Sequence, residues 1–355
     1  MSRPQLVQNI LAQGASLPAA ADYQFGDGSR SLQKAADLVR SANHVVIAGM
    51  GASQFASIAL GCSLAQHGIP AAVIEASELL YYGFPALSYG TCVIAVSRSG
   101  ESVEIVKLLP VLRAQGASII AVTNDPASSL ARAADAVLLL NCPPDQIVAI
   151  QSFTATALVL GLLGAACFRE LDHARVSLDP AFKQLPAWIS STLDASETWT
   201  GFLDPAVPLY FLGRGPALAS VREGVLLMHE TAKMPAVGMS SAEFRHGPVE
   251  ALGPHFRAVL FGSARPTAAL DLALAHDLTR LGAQIRWIGP LAPDDRGLEL
   301  CPWNAQFPEA FANVFEIIPI QIAAYRMAEL RGLPIGEFRF APQVTTTETG
   351  FLDQS

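Results

Sequence analysis

Between residues 44 and 141 the chain returns five times to a short, unbroken apolar run: HVVIAGMG (44–51), PAAVIEA (70–76), TCVIAVSRSG (91–100), ASIIAVTN (117–124) and DAVLLLN (135–141). Runs of this length, rich in Val and Ile and without polar alternation, are strands buried on both faces, and such strands belong to parallel sheets covered by helices. The segments between them, Phe55–His67, Glu101–Gln115 and Ser128–Ala134, carry helical spacing with polar faces. Strand, helix and strand in that alternation predict βαβ units and an α/β fold built on a doubly wound parallel sheet.

The second half repeats the scheme. VPLYFLGRGPALAS (207–220) leads from an apolar run through a Gly-x-Gly turn into a helix, as VVIAGMGASQFAS (45–57) does. RAVLFGS (257–263) and AQIRWIG (283–289) add strands, with Leu270–Leu281 as the crossover helix between them. Two similar α/β domains in tandem are therefore expected, at 31–170 and 185–335, with a period too long for a solenoid. Residues 1–30 are expected as a helical arm, Pro180–Thr200 as the linker and 336–355 as a Thr-rich tail.

Composition narrows the function classes. With 355 residues, 51% of them hydrophobic and 15% charged, the chain is globular and long enough for a core in each domain. Its net charge of −8 and lack of a long basic run argue against nucleic acid or an anionic membrane as partner, while leaving room for a small anion. The five cysteines, Cys62, Cys92, Cys142, Cys167 and Cys301, form no C-x-x-C pair and read as reduced core thiols. The first thirty residues contain no continuous apolar stretch of the signal-peptide kind, so a cytoplasmic location is expected. From Ile147 to Phe168 no residue is charged, a length that could span a bilayer. Gln151, Ser152, Thr154 and Thr156 crowd its first half, however, and a helix buried between the layers of a domain is the expectation.

Three clusters carry chemistry. Ser97-Arg98-Ser99-Gly100-Glu101-Ser102 stands where a buried strand ends and a helix begins, so three hydroxyls and free backbone N–H groups converge on a helix N-terminus whose partial positive charge favours an anion. A serine-rich N-cap that serves only the helix is the competing reading, and three serines flanking a glycine weigh towards a phosphate. Gly49-Met50-Gly51-Ala52-Ser53 opens the preceding helix. It lacks the third glycine of a dinucleotide fingerprint, Gln54 standing there, so its amides and the Ser53 hydroxyl are expected to form the other wall of the same anion pocket. In HETAKMPAVGMSSAEFRHGP, Glu230 ends an apolar helix and His246 follows in a loop with Glu243 and Arg245, offering one carboxylate base and one imidazole that titrates near neutrality. From spacing alone a solvated Glu230 and a packed His246 are the favoured reading, and it is the combination with a phosphate pocket that points to chemistry. The histidines are too scattered for a metal site, and no cofactor is expected.

GMGAS, SRSGES, LGRG, the helix ending in Glu230 and the EFRHGP loop together resemble the sugar isomerase (SIS) family of phosphosugar-binding proteins, from about residue 30 to 347. The similarity extends to the isomerase half of glucosamine-6-phosphate synthase and to stand-alone amino-sugar-phosphate deaminases and isomerases. It implies two tandem SIS-type, flavodoxin-like domains, the first binding the phosphosugar and the second supplying the catalytic Glu and His. It also implies a substrate-binding set of Gly51, Ser53, Ser97, Arg98, Ser99, Ser102 and Ala149, Arg98 taking a position often held by Gln. Glu230 would move a proton between C1 and C2, and His246 would open the ring, contributed across the interface of a homodimer with a shared active site.

The chain departs from the family pattern at three places. Nothing in these residues matches a glutaminase domain with a nucleophilic Cys, so glutamine-dependent amination is not expected. The tail reads Ala341-Pro342-Gln343-Val344-Thr345, where the family commonly has a Lys before V-T. The family's A-x-T-K-x-[FY] segment stands here as Val148-Ala149-Ile150-Gln151-Ser152-Phe153, and the only lysines are Lys34, Lys107, Lys183 and Lys233. The expected function is a phosphosugar isomerase or amino-sugar-6-phosphate deaminase acting on a hexose 6-phosphate. The alternatives are a non-catalytic sugar-phosphate sensor and a deglycase for fructosamine-type 6-phosphates.

Overall fold

A computed structural model describes residues 3–146, 148–262, 265–335, 337–340 and 344–348. The chain divides into two compact units, one of Ala15–Arg175 with Phe338–Ser355 and one of Met1–Gly14 with Val176–Glu337.

In the first of these, strands β1 (His44–Gly49), β2 (Ala71–Glu75), β3 (Thr91–Val96), β4 (Ser118–Thr123) and β5 (Ala136–Leu139) form one sheet in the order β2-β1-β3-β4-β5. Every neighbouring pair is parallel, with Val45 opposite Cys92 and Val93 opposite Ile119. Side chains alternate between the faces. Val46, Ala48, Val93, Ala95, Ile119 and Ala121 share a core with Ile105, Leu108, Leu109 and Leu112 of the Val103–Ala114 helix. Their neighbours in sequence, Val45, Ile47, Cys92, Ile94, Ile120 and Val122, are as deeply buried, so the other face is covered as well. There the Ala52–Gln66 helix packs on β1 and β2 and on the Gln151–Phe168 helix. Two covered faces are the reason the strands read as continuous apolar runs.

The Gln151–Phe168 helix is long and apolar enough to cross a membrane by length and composition, but 83% of it is buried inside the fold. The hydroxyls of Ser152, Thr154 and Thr156 are all satisfied locally. Thr154 and Thr156 donate to the carbonyls of Ile150 and Ser152, and Ser152 donates to Asp145.

In the second unit β6 (Leu209–Gly213), β7 (Ala236–Ser240), β8 (Arg257–Phe261) and β9 (Gln284–Ile288) form a parallel sheet in the order β7-β6-β8-β9. That order reproduces the first four strands of the other sheet. The crossover helix between β8 and β9 runs Arg265–Arg280, and its Leu274, Ala275 and Leu278 share a core with Leu260, Ile285 and Trp287. Gly262 closes β8 where a Cβ would lie 1.6 Å from the Trp287 ring, so only glycine fits there.

The stretch expected as the linker, Pro180–Thr200, is helical throughout. Most of Pro180–Thr200 lies in a single helix, Leu171–Ala195, which holds Pro180 and Pro186 inside it, and the remainder in a 3-10 turn, Ser196–Gly201. Trp188, Ile189 and Trp199 of this stretch are buried, and that burial outweighs the helix-breaking tendency of two prolines. A helix runs Gln5–Phe25, and a Cβ on its Gly14 would lie 3.0 Å from Pro186.

Candidate functional site

In the first sheet β1 lies between β2 and β3, so the chain leaves β1 towards one side and β3 towards the other, and their carboxyl-terminal loops diverge around a crevice. After β1, Gly51 adopts φ 49° and ψ −128° before the helix at Ala52. Gly49 is hemmed in: a Cβ there would stand 3.0 Å from the Gln54 nitrogen and 3.1 Å from the Val96 carbonyl. Gly51 and Ser53 are half-buried.

After β3 the Ser97–Ser102 loop is tied down from several sides. Ser97 is 3% exposed; its Oγ accepts the Gly100 N–H at 3.1 Å and lies 3.1 Å from Ser102 Oγ. Ser99 Oγ accepts the Glu101 N–H at 3.2 Å. The Arg98 carbonyl accepts the Asn124 N–H at 2.9 Å and the Thr123 hydroxyl at 3.1 Å, fixing the loop to the end of β4. Gly100 holds φ +66°, with Ser128 Oγ only 2.2 Å from where a Cβ would be. Glu101 Oε1 accepts the Ser129 N–H, and the Gly100 carbonyl accepts that of Leu130.

Ser102 occupies the N-cap position of the Val103–Ala114 helix, yet its side chain makes no capping bond. The simple N-cap explanation therefore does not account for it. The Val103 N–H is taken by the Thr345 carbonyl at 3.1 Å, and Glu348 further along binds the Tyr81 hydroxyl and the Lys107 ammonium. Ser97 and Ser102 hydroxyls side by side, next to the positive end of a three-turn helix, make an arrangement that can accept an anion.

Asp145 is a residue that sequence reasoning missed. It is 1% exposed, and its carboxylate accepts the N–H groups of Ile150 (3.0 Å), Gln151 (3.1 Å) and Ser152 (2.8 Å) and the Ser152 hydroxyl (2.7 Å). Its carbonyl accepts Arg98 Nη1 at 3.4 Å. One buried acid thus shapes the turn that carries half-buried Ala149 and meets the side chain of Arg98. The signal was an acidic residue a few positions before an uncharged helix, the place where carboxylates satisfy free N–H groups.

The remaining predicted residues belong to the other unit. The Leu218–Leu227 helix widens into a π-turn at Met228–Ala232, which carries Glu230 and stops at Lys233 in the left-handed region, φ 52°. Glu230 is half-buried. The Lys233 ammonium donates to the main-chain carbonyls of Glu230 and, at 2.6 Å, of Glu337. Beyond β7, Ser240 caps the short Ser241–Phe244 helix, and the chain turns with the His246 N–H on the Glu243 carbonyl and Gly247 at φ 123°. Glu243, Arg245 and His246 are all exposed, so the imidazole is not a packed loop residue. Ala341, Pro342 and Gln343, where the family Lys would stand, lie outside the described residues. Among the described residues, no three His, Cys, Asp or Glu side chains gather as a metal-holding group.

Comparison with known proteins adds three findings. Residues 38–166 match the SIS domain. Over 349 residues the chain is 27% identical to the isomerizing glutamine–fructose-6-phosphate aminotransferase of Pyrobaculum aerophilum, an alignment covering 97% of this chain and 57% of that protein. The chain thus spans little more than half the length of the curated relatives it matches. Among solved structures it is similar to the C-terminal domain of glucosamine-fructose-6-phosphate aminotransferase from Francisella tularensis, with a TM-score of 0.81 at 20% identity over 95% of this chain and 98% of that one. Glucosamine-6-phosphate deaminase from Thermotoga maritima gives 0.73 at 20% identity over 96% and 99%. At such identities the likeness is one of fold, two parallel sheets of five and four strands.

Proposed function

We propose, for a chain whose residues 38–166 are a SIS domain, an enzyme of the phosphosugar isomerase type that acts on a hexose 6-phosphate by moving a proton between C1 and C2. The observation that carries this reading is the Ser97–Ser102 loop: hydroxyls at a helix N-terminus, on the crevice side of a parallel sheet, with the N-cap serine not used for capping. Ser97, Ser99 and Ser102, with Ser53 and the amide of Gly51, hold the phosphate, and Arg98 and Ala149 border the sugar.

Glu230 is the base. Once the ring is open, it takes the proton from C2 and returns it at C1 on the same face; His246 serves the ring oxygen as acid and base in the opening. For a 2-amino sugar the intermediate is an enolamine, protonation at C1 leaves an imine at C2, and water releases ammonia and the ketose phosphate. For a 2-hydroxy sugar the same steps give plain aldose–ketose exchange. The working unit is a homodimer in which His246 comes from the partner subunit.

Incubating the protein with glucosamine 6-phosphate separates the two versions, because only deamination releases ammonia. Glu230→Gln keeps shape and deletes the base, so turnover should fall by about 10²–10⁴-fold with sugar-phosphate binding retained. Unchanged turnover in that variant would remove Glu230 from the reaction.

A further inference from the structure

Resting on the reading that the first sheet's crevice takes a sugar phosphate, we infer that Gln151 accepts a hydrogen bond from a donor on the sugar, a hydroxyl or an ammonium group, and so takes part in choosing the substrate. Gln151 is the first residue of the Gln151–Phe168 helix and only 3% exposed. Its main-chain N–H is used, bound to Asp145. Its side-chain oxygen is buried and has no hydrogen-bond partner among the described residues. The other polar side chains of these turns differ: the hydroxyls of Ser152, Thr154 and Thr156 all donate to Asp145 or to carbonyls of the helix. A buried amide oxygen left without a donor is unfavourable, and native folds keep few of them.

Its place says what would supply the donor. Asp145 binds the Gln151 N–H with its carboxylate and Arg98 with its carbonyl, so Gln151 opens the helix on the turn that meets the middle of the Ser97–Ser102 loop. Ala149 stands two residues before it. A phosphate dianion offers only acceptors and cannot satisfy an amide oxygen. The sugar can, through a hydroxyl or, in an amino sugar, through its ammonium group.

Gln151→Met tests this, since methionine fills similar volume without an acceptor. Three probes are titrated calorimetrically: glucose 6-phosphate, glucosamine 6-phosphate and inorganic phosphate. The expected result has two parts. The unliganded variant melts no lower than wild type, because the unpaired oxygen is gone. Affinity for at least one sugar phosphate falls by about two- to tenfold, the effect of one neutral hydrogen bond, while affinity for inorganic phosphate stays the same. A selective loss for glucosamine 6-phosphate identifies the ammonium as the donor, and equal losses for both sugars identify a shared hydroxyl.

A variant that binds both sugars like wild type overturns the inference. So does one that loses stability without its ligand, since the oxygen would then have been serving buried solvent. Wild-type protein that binds neither sugar phosphate removes the phosphosugar reading itself, a result distinct from an unchanged Gln151→Met titration.

Discussion

At the scale of single residues, Ser99 and Asp145 differ in what their loss should do. Ser99 is half-buried and its Oγ accepts one local N–H, from Glu101 at 3.2 Å, a bond that water can replace. If its hydroxyl also donates to a phosphate, that charge-assisted bond contributes about 1.5–3 kcal/mol. Ser99→Ala should then weaken sugar-phosphate binding by about tenfold or more with little change in melting temperature; equal affinities by calorimetry would take the side chain out of the site. Asp145 is the opposite case, a fully buried acceptor of three N–H groups and a hydroxyl. Asp145→Asn replaces one oxygen with a donor that faces other donors, so stability should drop by about 1–3 kcal/mol. Urea unfolding followed by circular dichroism checks this, and an unshifted midpoint would show that the turn does not depend on the acid.

At the scale of elements, the edge of the first sheet holds an ion pair that makes stability depend on pH. Asp135, just ahead of β5, accepts the Ile119 N–H at 2.7 Å and is gripped by both Arg113 nitrogens at 2.9 and 3.1 Å. Partial burial pushes its carboxyl up, but the Arg113 guanidinium and the Ile119 N–H outweigh that and hold it below the ordinary carboxylate range. A folded value below the unfolded one, which is about 3.9, means that the contribution is present above that pH. It is lost as pH falls through the lower, folded value. Asp135→Asn should therefore be less stable than wild type near neutrality, and the gap should close as the pH drops below about 4. A difference independent of pH in urea melts would exclude this origin. In the other unit the notable element is the π-turn at Met228–Ala232, which carries Glu230; such turns are frequent at functional sites.

At the scale of the whole molecule, the reading places groups needed for one reaction in a homodimer. Light scattering with parallel turnover measurements should find at least a dimer under assay conditions, the symmetry expected of most homo-oligomers. An active species that is strictly monomeric would contradict a His246 supplied by a partner. Of the four lysines, Lys233 stands nearest to Glu230 in sequence, and its ammonium is already engaged by two carbonyls.

Legible in the chain alone were the parallel strands, the turns after them and the loop with three serines, because burial on both faces and turn chemistry write themselves into short local patterns. The uncharged helix at Gln151–Phe168 was legible too, since its hydroxyls mark a segment that satisfies itself. What local pattern could not convey came from contacts distant in sequence. That the Pro180–Thr200 stretch is helical despite its two prolines is decided by the burial of residues such as Trp188 and Trp199. The Thr-rich tail carries no local sign of a partner, yet Thr345 lies on the Val103 N–H, more than two hundred residues away. Asp145 is an unremarkable acid in a Pro-rich turn until four donors close on it, and Gln151 an ordinary helix residue until its oxygen is found buried and unpaired. Whether a polar side chain is satisfied depends on which atoms the folded chain brings within three ångströms or so of it, and only the tertiary structure decides that.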